Sequence, residues 1–429
     1  MSEYFHSVTL DKDKCKGCIN CIKRCPTEAI RVRDGKAHII TERCIDCGEC
    51  IRVCPHHAKQ AITDPLSVMD NYKYKIALVP PSMSGQFNNL EDPELITTAL
   101  RGIGFDAVFD VGRAAELVSD ATRKLLDAGS LQKPVISSAC PAVLRLIQVR
   151  FPTLLDRVLP LLAPVELAAR MAKDEAEAQG YKRDEVGCIF LTPCPAKVTA
   201  MRTPLGTETS DIDAAVAVKD VYPLLLPAMK KATDIDPAQS GRIGLGWAES
   251  GGEAAGLLTT DAYLAADGIE NVIRVLEDLE DDKFPEVEFV ELDACAGGCV
   301  GGVLQVENPY IAKAKIKKLR RYMPVSLNHL ETKEVPELLN WETALEYNPV
   351  LELGKTKQES FDRYAELEDI LEKLPDLDCG SCGAPTCEAF AEDVVRGDAE
   401  LGDCVVLMRQ KMEAILQAAG LDGKGNKID

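Results

Sequence analysis

Three kinds of hydrophobic pattern follow one another along the chain. Residues 1–65 have no sustained period; short apolar stretches break at glycine, proline and cysteine, in two halves offset by about 29 residues. From Lys75 onward, short apolar runs alternate with longer amphipathic ones. KIALVP (75–80), FDAVFDV (105–111), PVISS (134–138), GCIFLT (187–192), RIGLGW (242–247) and VEFVEL (287–292) are brief and rich in Val, Ile and Phe. Such runs predict buried strands. Stretches 113–128, 160–179 and 261–280 repeat apolar residues at helical spacing and predict helices. Alternation of this kind implies an α/β fold, a largely parallel sheet with covering helices. After Pro309 the pattern turns helical and charged, ending in a helix over 405–419 and a polar tail.

These shifts divide the 429 residues into segments 1–70, 71–325, a helical linker 326–375, and a small, mostly helical 376–429. No apolar run approaches the ~18 residues of a spanning helix, and no charged-then-apolar leader precedes the first cysteines. The expected location is cytoplasmic, with no membrane partner. The net charge is −20, and residues 1–65 hold 11 Lys/Arg against 9 Asp/Glu, leaving −22 for the remainder. An acidic body argues against nucleic acid as a partner. The basic stretch Lys313 to Arg321 reads as the solvated face of a helix, or as a patch for an acidic donor or acceptor.

Cysteine changes the picture most. The chain has 17, and without a secretion signal they argue for metal ligation in a reducing compartment. Two runs, Cys15-x2-Cys18-x2-Cys21-x3-Cys25-Pro26 and Cys44-x2-Cys47-x2-Cys50-x3-Cys54-Pro55, have the spacing of a two-cluster [4Fe-4S] domain. In that arrangement the fourth cysteine of each run crosses to the other cluster. Cys15, Cys18, Cys21 and Cys54 therefore form one set, and Cys44, Cys47, Cys50 and Cys25 the other. A zinc reading fits the doubled runs and their prolines poorly. Cys379-x2-Cys382-x4-Cys387-x16-Cys404 forms a further set near the C-terminus. Cys188 lies inside a predicted strand and reads as an inert core thiol.

The remaining cysteines are scattered but not random. Cys140, Cys194 and Cys295 each follow the carboxyl end of a predicted strand, where open α/β sheets place their sites. Each is expected to precede a helical stretch whose N-terminal amides favour an anionic cluster. With Cys299 they make a fourth set.

Three separated motifs, SSACPAV (137–143), TPCPAK (192–197) and DACAGGCVGG (293–302), give residues 1–310 a resemblance to the [FeFe]-hydrogenases. The resemblance implies an N-terminal two-cluster ferredoxin-like domain and a central hydrogenase-type α/β catalytic domain. It also implies an H-cluster, in which a [4Fe-4S] cubane is joined to a two-iron unit carrying CO, cyanide and azadithiolate. Carried over by motif, Cys140, Cys194, Cys295 and Cys299 bind the cubane, and Cys299 bridges to the two-iron unit. Lys197 matches the lysine that hydrogen-bonds a cyanide, and Pro80, Pro81 and Ser82 of VPPS match the loop lining the pocket. CGSCGAPTC resembles the four-cysteine domain of electron-transfer and corrinoid iron–sulfur proteins, implying one further [4Fe-4S] cluster.

The departures carry information too. Active members usually have Cys-Cys at the first motif, the first thiol relaying protons; here that residue is Ala139. The methionines usual beside the second and third motifs are Thr192 and Asp293, and Ala200 stands where a glutamate is usual. The usual Gly-Gly-Gly-Gln is Gly301-Gly302-Val303-Leu304-Gln305. Divergent motifs together with the C-terminal set resemble the sensory branch of the family. The expectation is a slow, oxygen-sensitive hydrogenase of anaerobic settings that interconverts H2 with protons and electrons. Its partners would be a ferredoxin-type donor or acceptor, hydrogenase maturation proteins, a separate signalling protein, and a second copy if the chain dimerises. The competing readings are a non-enzymatic iron–sulfur scaffold and an electron-transfer module lacking the two-iron unit.

Overall fold

The computed structural model describes residues 5–233, 235–258 and 262–419. The chain forms two compact units, one of Met1–Val8, Ile45–Gly48 and Ala61–Asn348, the other of Thr9–Cys44, Glu49–Gln60 and Pro349–Asp429.

The first unit is α/β, built on two parallel sheets where the sequence suggested one. The larger orders its strands Ala107–Asp110, Tyr74–Val79, Val186–Thr192 and Ala214–Ala217. All seven residues of Val186–Thr192 are buried, as in a parallel strand covered on both faces. Cys188 sits in its middle, fully buried, donating its thiol to Ala169 O at 3.7 Å. The smaller sheet orders Tyr263–Asp267, Phe289–Asp293 and Val135–Ile136. Five of the six predicted strands are present.

Helices cover the sheets much as their periodicity implies. Val111–Ala128 starts at Asp110, whose carboxylate accepts from Gly112 N–H at 2.8 Å, and ends at left-handed Gly129. Pro164–Ala178 packs its alanine face into the same core. RIGLGW, expected as a strand, is instead the short helix Arg242–Gly246. The buried Glu116 carboxylate explains it by accepting from Gly241 and Gly244 N–H at 2.7 and 3.3 Å. A Cβ on Gly244 would also meet Gly112 O at 2.5 Å, so only glycine lets this helix approach. Two strands escaped the pattern. Ala214–Ala217 is alanine-rich, and Tyr263–Asp267 lies within the predicted helix 261–280, which begins only at Ile269.

In the second unit, Ile30–Arg33 and Lys36–Ile39 form an antiparallel hairpin closed by Asp34 and Gly35, both at positive φ. Helices Lys357–Leu371, Cys387–Arg396 and Val405–Ala418 belong to it, around a core that includes Leu367, Ile370, Phe390 and Cys404. The buried Arg31 guanidinium donates to both Asp393 oxygens at 2.9 and 2.7 Å, and Arg33 to one at 2.7 Å. Residues 340–356 contain no helix. The polar tail lies outside the described residues.

Candidate functional site

Strand ends and helix starts bring the central cysteines together. Cys194 follows Val186–Thr192 and caps the helix Pro195–Arg202; Cys140 follows Val135–Ile136 and caps Pro141–Arg150. Cys295 follows Phe289–Asp293, but no α-helix succeeds it, contrary to the expectation. A turn does, in which Gly298 N–H donates to Cys295 O at 3.0 Å. Gly298 has φ +87 and its Cβ would meet Ser250 N at 2.4 Å, so the reversal from Cys295 to Cys299 requires glycine. Leu304 N–H donates to Pro193 O at 3.0 Å, tying this loop beside Cys194.

A cavity of about 60 Å³ opens at Cys299. Of the predicted residues, Pro80, Pro81, Ser82, Ala139, Lys197 and Asp293 all line it. Thr192 does not. It is fully buried, and its hydroxyl donates to Cys194 O at 2.9 Å and accepts from Cys194 N–H at 3.4 Å. Lys197 Nζ lies 3.6 Å from Cys299 Sγ. Burial opposes the charge on Lys197, but Cys299, Cys194, Cys140 and Asp293 outweigh it, so the net shift is upward and the ammonium is held firmly.

The donor set suits an iron–sulfur group. Burial pushes the thiols of Cys140, Cys194 and Cys299 up, with Lys197 the foremost influence pulling each down. Thiols so placed ionise when a metal replaces their protons. Gln305 offers a second sign of fit. Its Nε2 donates to Ser82 Oγ at 2.8 Å, while its buried Oε1 has no protein partner.

Sequence reasoning named Asp293 but missed the acids around it. Glu291 and Asp293 share one face of their strand, where period-two spacing was the available signal, and their carboxyls hydrogen-bond each other. Glu253 also lines the cavity and gave no signal. It accepts from Ser137 Oγ at 2.6 Å, and Ser137 Oγ accepts from Ala139 N–H at 3.1 Å. Burial pushes Glu253 up to about 8 and Asp293 to about 6, and raises Glu291 well above the carboxylate range. Ala139 also walls a side cavity of about 30 Å³ lined by Glu166. One Glu166 oxygen accepts from Ser210 Oγ at 2.7 Å; the other is buried and unpaired. Burial lifts this carboxyl to about 7. No sequence signal marked it.

Most of the other cysteines belong to the second unit. Cys15 and Cys18 both bear on Cys21, and Cys379 and Cys404 on Cys382. Cys387 starts the helix Cys387–Arg396, and Cys404 caps Val405–Ala418. In the first unit, Cys47 packs against the hydrophobic cluster that also receives Cys140 and Cys194.

Residues 73–257 and 248–303 match the family described as iron only hydrogenase large subunit, C-terminal domain. The chain belongs to the iron-only hydrogenase family. Around this hydrogenase-family core, residues 7–55 match a 4Fe-4S dicluster domain and residues 374–406 an Fe-S cluster family. Iron hydrogenase 1 of Clostridium pasteurianum is 24% identical over 396 residues, covering 75% of this chain and 69% of that protein. The periplasmic [Fe] hydrogenase large subunit of Nitratidesulfovibrio vulgaris is 26% identical over 373 residues, covering 72% and 88%. A solved [FeFe]-hydrogenase HydA1 from Chlamydomonas reinhardtii aligns at 17% identity and TM-score 0.48, over 67% of this chain and 98% of that one. Among the described residues no helix is long and apolar enough to cross a membrane.

Proposed function

We propose that this hydrogenase-family chain interconverts H2 with protons and electrons slowly, and reports redox state or hydrogen level to a partner through its clusters. The observation that carries the reading is Lys197 Nζ 3.6 Å from Cys299 Sγ, on a cavity shared with Ser82 and Ala139. In this reading Cys140, Cys194, Cys295 and Cys299 hold a cubane, and Cys299 bridges it to a two-iron unit. That unit, when bound, supplies the metal chemistry that joins two protons and two electrons. The chain does the rest. Lys197 contributes the buried cation that an anionic, cyanide-bearing group needs, since the thiolates offer only one tether.

Electrons would enter by the N-terminal clusters. Cys47 supports this, because it shares a hydrophobic cluster with Cys140 and Cys194. Residues 376–429 would carry the fourth cluster and the contact with a redox or signalling partner. Loading requires maturation proteins, and an oxygen-poor cytoplasm suits every part of the assembly.

Protons are the slow supply. Ala139 carries none, so transfer falls to the acids around it. Glu253 stores a proton on the cavity wall, hydrogen-bonded to Ser137. Glu166 offers a second acid from the side cavity, linked outward through Ser210. A route without a group at Ala139 favours sensing over flux.

Ala139→Cys tests this. With a positioned thiol on the wall common to both cavities, hydrogen turnover of the reconstituted protein should rise by about tenfold or more. Unchanged turnover at equal cluster content would move the limit to Thr192 or Asp293. No hydrogen from either protein, with the two-iron unit loaded, would overturn the enzyme reading.

A further inference from the structure

The two N-terminal cysteine runs repeat each other, and the repeat contains its own control. The first continues Cys25-Pro26-Thr27-Glu28-Ala29-Ile30, the second Cys54-Pro55-His56-His57-Ala58-Lys59. The backbone treats the two alike. Ala29 N–H donates to Cys25 Sγ at 3.2 Å, and Ala58 N–H to Cys54 Sγ at 3.3 Å. In each half the fifth residue after the cysteine opens a strand, Ile30–Arg33 or Lys59–Ala61, and is 2% exposed. One of these buried residues is apolar. The other is a lysine.

A buried ammonium is costly unless something answers its charge. Among the described residues Lys59 makes no ion pair, and its Nζ has no hydrogen-bond partner in the protein. Two thiols feel its charge. Burial pushes Cys21 up, and the Lys59 ammonium is the foremost influence against that rise. Burial also opposes charge on Cys54, where backbone amides and then the Lys59 ammonium prevail and bring it down. Cys21 and Cys54 come from different runs, yet run spacing assigns them to the same four-cysteine set. The chain thus holds a cation with no counter-charge beside two ligands, Cys21 and Cys54, of a set that acquires one only when iron and sulfide are bound.

We propose that Lys59 is the resident counter-charge of the iron–sulfur cluster held by Cys15, Cys18, Cys21 and Cys54. On this proposal it sets that cluster at a higher reduction potential than the cluster taking Cys25. The inference rests on the reading that the two runs hold two clusters. Reduction adds one negative charge, and a buried cation near the ligands favours the reduced form. Cys25 has Ile30 in the equivalent place and gains no such help. Both sets are four thiolates with an alanine amide on the crossing cysteine. Cys25 also has the Thr27 hydroxyl at 3.9 Å and the unfavourable Glu28 charge beside it, so the cation on the Cys54 side makes that cluster the easier to reduce. An electron entering this region then rests on the Lys59 side, and the second cluster is reduced only under a stronger reductant. That gives the region a two-step response to redox state.

Anaerobic redox titration of the full reconstituted chain, followed by electron paramagnetic resonance, reads both N-terminal clusters. The wild type should show two separated midpoints. Lys59→Met should lower the higher one and leave the other in place, while Lys59→Arg keeps both. If Lys59→Met loses the cluster that Lys59→Arg retains, the counter-charge role is supported equally. Unmoved midpoints in Lys59→Met at full iron content would overturn the proposal alone. Wild-type protein without N-terminal clusters would overturn the two-cluster reading, and the proposal with it.

Discussion

Glu253→Gln should lower hydrogen turnover by about 10²–10⁴-fold while leaving the iron–sulfur spectra intact. Glu253 is 4% exposed and accepts Ser137 Oγ–H at 2.6 Å on the wall of the cavity. Burial raises its carboxyl to about 8, so at neutral pH it holds a proton. Glutamine keeps the shape and the hydrogen bond but cannot give that proton up. Above about pH 8 the wild-type group is a carboxylate with no proton to donate. Proton reduction should therefore fall through that range in the wild type and lose this step in the variant. Stability obeys the same sign. The folded state binds this proton more tightly than the unfolded chain, so stability falls as pH rises from the ordinary carboxylate range to about 8. Glutamine should flatten that slope. Unchanged turnover and an unchanged pH profile, with clusters intact, would remove Glu253 from the proton route.

Asp393→Ala should destabilise the second compact unit by about 3–5 kcal/mol, because it strips a buried pair of one partner. Asp393 is 4% exposed and Arg31 5%. Its two oxygens receive Arg31 Nε, and one also receives a nitrogen of the half-buried Arg33. Without the carboxylate, Arg31 stays buried and uncompensated. The pair joins a strand of the N-terminal repeat to the helix that starts at Cys387, so the C-terminal cluster should loosen as well. Denaturant unfolding of the reconstituted chain, with iron release as a second probe, measures both. A loss below about 1 kcal/mol would show that the pair is no more than a surface-type contact.

The sequence made the candidate cluster ligands legible because their spacing is local. Cys15 to Cys25 and Cys44 to Cys54 carry their spacing within a few residues. Cys140, Cys194 and Cys295 were readable for a different reason, since each follows a short run of Val, Ile and Phe whose end a parallel sheet brings forward. The acids were harder. Glu253 sits in a glycine-rich stretch with no period, and its role appears only when Ser137, 116 residues away, donates to it. Glu166 drew no notice until the fold placed it on the cavity behind Ala139 with one buried oxygen unpaired. Lys59 is the same lesson. The repeat sets it opposite Ile30, but nothing in the sequence singled it out, and only burial revealed that its charge has no partner. RIGLGW failed as a strand because a short run of apolar and glycine residues after an arginine cannot distinguish a strand from a short helix capped by a distant Glu116.

Ala139, Lys197 and Cys299 around one cavity are the centre of the account, and infrared spectroscopy addresses them directly. The protein would be loaded anaerobically with iron, sulfide and the two-iron precursor, then scanned in the region of CO and cyanide stretching. The account predicts both sets of bands, alongside the signals of the [4Fe-4S] clusters. Intact [4Fe-4S] signals with no CO or cyanide bands would contradict it.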